Sequence, residues 1–130
     1  MFYELTLRHD NPETGKSVQE KYIVKDCEIF AEAECKGLEM YNGECDVTAI
    51  RRSQIREFVN DSSKGEFIFY ATIVDVFLKD DGTEKELVYK VAVWANDIAE
   101  AQKTAKEYME QGLNDMKLKG INQTKFIDVI

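Results

Sequence analysis

The chain has 130 residues, 44% hydrophobic and 11% aromatic, enough for one domain with a real core and too few for two ordinary ones. Its 25 acidic residues outnumber 17 lysines and arginines, giving a formal charge of −8, which repels phosphate at long range and disfavours nucleic-acid binding through an overall positive field. No apolar run reaches the roughly 18 residues that span a bilayer, and Met1 leads straight into FYELTL without the basic stretch and cleavage site of a signal peptide, so no membrane association is expected.

The first predicted element is a strand, FYELTLRH, followed by the turn DNPETGK and a returning strand, VQEKYIVK. Asp26 is placed to cap a helix in which Phe30, Ala33, Gly37 and Met40 or Tyr41 recur at three- and four-residue spacing, and Asn42-Gly43 supplies its stop. CDVTAIRRSQIREFV reads as a third, interrupted strand. After the polar connector DSSKG, Asp61 to Gly65, the plan repeats. EFIFYATIVDVFLK and ELVYKVAVWA flank the hairpin turn DDGT, a helix follows Asn96 or Asp97, and MKLKGINQTKFIDVI ends the chain. In this second helix Ile98, Ala101, Ala105 and Tyr108 form the apolar stripe, with Gly112 just past its end.

The two halves are copies of one unit. IRRSQIREFV aligns with INQTKFIDVI at an offset of 71 residues, pairing Ile50 with Ile121, Ser53 with Thr124 and Ile55 with Phe126. The helices align at an offset of 68, which pairs Ala33 with Ala101 and Gly37 with Ala105. Self-similarity of this length predicts two copies of a supersecondary unit. The expected fold is α+β: a single domain, residues 1–130, made of two pseudo-symmetric repeats, about 1–60 and 65–130. Each repeat is a strand-strand-helix-strand unit, and together they form an antiparallel or mixed sheet with two packed helices. Within it FIFYATIVDVFL is apolar on both faces, which places it as a central strand covered on both sides or as a surface for a second chain, a homodimer.

Chemistry is sparse. His9 is the one imidazole, and Cys27, Cys35 and Cys45 are spaced by eight and ten positions, which is no zinc-site spacing. An odd set of dispersed cysteines also fits free thiols in a reducing compartment. No glycine-rich phosphate loop is present. Neither metal nor cofactor nor enzymatic activity is expected. The exception to an acidic surface is Arg51, Arg52 and Arg56, whose equivalents in the second copy are Asn122, Gln123 and Ile127. A basic patch kept by one copy reads as a one-sided binding site, and local pairing with Glu57 and Asp61 is the competing reading. Tyr70 and Trp94, with Tyr89, are candidates for stacking single-stranded bases, but acids interleave with the neighbouring Lys79, Lys85 and Lys90.

The opening FYELTLRH, the segment YIVKDCEIFAEAE, the strand VTAIRRSQIREFV and the aromatic FIFYATIVDVF together resemble an uncharacterised family of phage and prophage proteins from gut Bacteroidales, a domain of unknown function. That resemblance implies a mobile-element context, hence the cytoplasm of a bacterial host, and transfers no active site. With the acidity and the missing catalytic groups, the expectation is a non-enzymatic module that binds a host protein, of the kind that inhibits a basic nucleic-acid-handling enzyme such as a CRISPR effector nuclease. The alternative is a single-stranded nucleic-acid-binding accessory of phage replication that uses the arginines and the strand aromatics.

Overall fold

The computed structural model describes residues 1–112 and 115–130. The fold is α+β, with two helices and two four-stranded mixed sheets rather than one sheet. Two compact units result, one made of Met1–Gln54 with Lys125–Ile130 and the other of Ile55–Thr124.

In the first unit β1 (Tyr3–Asp10) lies between β2 (Ser17–Val24) and β3 (Asp46–Arg52), antiparallel to both. Period-two alternation turns Tyr3, Leu5 and Leu7 towards helix α1 (Phe30–Glu39) and Glu4 and Thr6 the other way. Tyr3, Leu5, Leu7, Tyr22, Val24, Cys27 and Ala33 form the core. Gly37 is there because α1 lies hard against β1: a Cβ at this position would run into the Leu5 and Leu7 side chains. Asn42 and Gly43, both at positive φ, end the helix, and the Gly43 amide donates to the Leu38 carbonyl at 2.8 Å. Asp26 is not the cap. It takes a left-handed conformation in the connection, φ 57°, and Ile29 becomes the N-cap with no side-chain hydrogen bond. The chain turns at Asp26, so the helix starts too far downstream for its carboxylate to reach the first amides.

The second unit holds β5 (Phe67–Leu78), β6 (Glu84–Ala95), α2 (Ile98–Glu110) and β7 (Asp115–Gln123). β5 is central, antiparallel to β6 on one side and to β7 on the other. Phe69, Ala71, Ile73, Val91 and Val93 face α2, where Ala101 and Ala105 are fully buried. Asp97 caps α2 by accepting from the Glu100 amide at 2.8 Å. On the opposite face of the sheet Ile68 is buried, Val74 and Val76 are half-buried and Leu78 is exposed. The doubly apolar strand is therefore central, and its second face opens towards the hairpin turn.

Each repeat sends its last segment into the other unit's sheet. After β3 the strand breaks at Ser53-Gln54, and β4 (Ile55–Phe58) pairs in parallel with β6. After β7 it breaks again, and β8 (Asp128–Val129) pairs in parallel with β2. The two crossings correspond at their ends at the offset of 71. Phe58 sits opposite Ala92 as Val129 sits opposite Ile23. The Ser53 amide donates to the Phe2 carbonyl at 2.8 Å as that of Thr124 donates to Ile68 at 2.9 Å. Both third strands are also bulged at the same place, since Thr48 in β3 and Lys119 in β7 are each skipped by the register. The compact units thus differ from the sequence repeats because the arms are exchanged.

Candidate functional site

The three arginines of the interrupted third strand do not share a unit. Arg51 and Arg52 are neighbours on β3 in the first unit, so their side chains leave opposite faces of the strand. The Arg51 Nε lies 2.5 Å from Oε1 of the buried Glu4, and the arginine side chain stays largely exposed. Arg52 is exposed at the strand end, in register with Tyr3. Arg56 belongs to β4 in the second unit, where its guanidinium stacks 3.9 Å from the Tyr89 ring centroid. The acids near in sequence are otherwise engaged: Glu57 accepts from the Tyr108 hydroxyl at 2.5 Å, and Asp61 accepts from the Ser63 amide at 2.9 Å. Glu4, which holds Arg51 across 47 positions of sequence, left no local signal.

Tyr70 and Trp94 come closer together. Tyr70 pairs with Ala92 and Ile68 with Trp94, so both rings stand on the same sheet face as diagonal neighbours. Trp94 is only 6% exposed, and its backbone is clamped by Asn60, whose side chain accepts from its amide at 2.7 Å and donates to its carbonyl at 2.8 Å. Trp94 is among the residues that line a groove of about 550 Å³ with Lys64, Asn96, Lys103 and Thr104. A ring buried to this degree offers an edge to a base and no open stacking surface.

The start of α1 is a different kind of surface. Ile29 and Phe30 are each about half exposed, and Glu28, Glu32 and Glu34 around them are exposed. Phe30 is steadied from beneath by an edge-to-face contact with Tyr3 at 5.0 Å between centroids. Lys36, the base on this helix, turns away and donates from Nζ to the Lys25 carbonyl at 2.6 Å. Among the described residues no lysine or arginine pairs with these three glutamates. The result is an apolar anchor framed by exposed glutamates, of which Glu32 accepts from the Glu28 amide at 3.2 Å.

A family model for a domain of unknown function, DUF4494, matches residues 1–130. The chain belongs to the DUF4494 family. No curated protein and no solved structure matches it. In this DUF4494 chain the one histidine packs into a polar cluster: His9 stacks on Tyr41 at 4.2 Å, and its Nε2 meets Glu20 Oε1. Glu20 also accepts from the Tyr41 hydroxyl and, at 2.5 Å on Oε2, from Tyr22. Burial pushes the Glu20 carboxyl up, and these three hydrogen bonds outweigh it and hold the group below the usual carboxylate range. Burial first, and then Glu20, raise the Tyr22 hydroxyl.

The three cysteines of the DUF4494 chain are free; Cys27 and Cys45 are buried and Cys35 is exposed. Burial pushes the Cys45 thiol up, with Asp46 adding to it, the opposite of what activates a thiolate nucleophile. Among the described residues no three His, Cys, Asp or Glu side chains converge as a metal site, and no helix is long and apolar enough to cross a membrane.

Proposed function

We propose that this DUF4494 protein is a non-catalytic protein-binding module of a phage or related mobile element, which captures a basic, nucleic-acid-handling host protein and so acts as an anti-defence inhibitor. The observation that carries the reading is the surface at the start of α1, where Ile29 and Phe30 stand half exposed among Glu28, Glu32 and Glu34. An aromatic and an aliphatic anchor give a partner something to desolvate, and the neighbouring negative charge steers a basic one. The net charge of −8 acts in the same direction. The arginines support the nucleic-acid alternative less, because Arg51 is held by Glu4, Arg56 lies on Tyr89, and Trp94 is buried.

Capture of a tagged copy from nuclease-treated host lysate, followed by binding to the purified partner, tests the reading. A basic nucleic-acid-binding protein is expected, bound more weakly as salt rises. Glu28→Gln with Glu32→Gln, and separately Phe30→Ser, are each expected to weaken that binding about tenfold or more. Recovery of nucleic acid alone, or a partner insensitive to salt and to both sets of substitutions, would overturn it.

A further inference from the structure

The distal half of the second unit's sheet carries an open apolar stripe on the face turned from α2. Val74, Val76 and Leu78 of β5 stand there beside Val88 of β6; Leu78 is 72% exposed and Val88 50%. The charges bordering the stripe are sorted along the strand. Lys90 lies level with Thr72, and Lys117 level with Val74. One step further, Asp115 and Glu86 lie level with Val76, and Glu84 lies level with Leu78. The face is therefore basic at one end, acidic at the other and apolar through the middle.

We propose that this face is the contact between two copies of the chain, related by a twofold axis that crosses β5 between Val74 and Val76. Such an axis, lying in the interface across the strands, reverses strand direction and keeps each strand over its own counterpart. Val74 of one copy then meets Val76 of the other, Lys117 meets Asp115, Lys90 meets Glu84, and Val88 lies over Glu86. An isologous contact requires each patch to be its own complement. A basic protein would call for a uniformly acidic face and a nucleic acid for a uniformly basic one, and this surface is neither. Association also removes the hairpin's apolar residues from water.

Sedimentation velocity of the full chain across low to high micromolar concentration, with folding verified by circular dichroism, tests the contact. The wild type is expected to shift from monomer to dimer as concentration rises. Lys117→Asp and Asp115→Lys alone are each expected to weaken association about tenfold, and the two together are expected to restore it, because the opposed charges then face one another in exchanged order. Val88→Ser is expected to weaken it independently of β7. A wild type that stays monomeric throughout overturns the proposal. So does a dimer that ignores the single reversals and Val88→Ser, or a double reversal that fails to rescue.

Discussion

Glu20 shows how much one carboxylate can organise. Its two oxygens take hydrogen bonds from Tyr22, Tyr41 and His9, and its folded value is lowered from the ordinary 4.5. A carboxyl lowered on folding contributes stability that is full above its unfolded value and is lost as pH falls through the folded one. Glu20→Gln is therefore expected to melt below the wild type at neutral pH, with the gap closing on acidification below about pH 4. A gap that is constant with pH would refute this assignment. Gly65 is a second single-residue constraint, of steric origin. A Cβ there would collide with the backbone of Ala95, which cannot move aside, whereas one at Gly120 meets open space. Gly65→Ala is expected to cost about 1–3 kcal/mol in denaturant unfolding, and Gly120→Ala less than about 0.5 kcal/mol. Equal effects would show the close approach to be unimportant.

Among the elements, β8 is short for the work it does. Two paired residues close the edge of the first unit's sheet, helped by the bonds from Ile127 to Lys21, from Ile130 to Ile23 and from Lys25 to Ile130, all at 2.8 to 2.9 Å. Truncation after Lys125 removes every one of them. Hydrogen exchange is expected to speed up markedly at the Lys25 amide and along β2 while β5 changes less. Equal protection in β2 with and without the segment would contradict the pairing. Elements with a strong local period were legible in the sequence: both helices, with their small-residue stripes at Ala33, Gly37, Ala101 and Ala105, and the hairpin turned at Asp81-Gly82. The destination of the arms was not legible. A strand of four residues or of two carries no period of its own, and alternation says which face a side chain takes but not which sheet receives it. The candidate site divides in the same way. The exposed Phe30 belongs to a helix that the spacing located, although its start past Asp26 was not legible, whereas the Glu4–Arg51 pair depends on a register between segments 47 positions apart.

At the scale of the molecule, the strand exchange changes the order of reaction by which the fold is completed. A chain carrying a single repeat could fill the vacant edge of its sheet only with an arm lent by another molecule, in a population set by dilution. Joining two repeats through residues 61–65 makes lender and borrower the same molecule, so the encounter becomes unimolecular, governed by a fixed effective concentration. Selection on self-recognition is thereby lifted from the arms. The arm of one copy could take up Arg56 where the other has Ile127, while Phe58 and Val129 kept matching places in the two crossings.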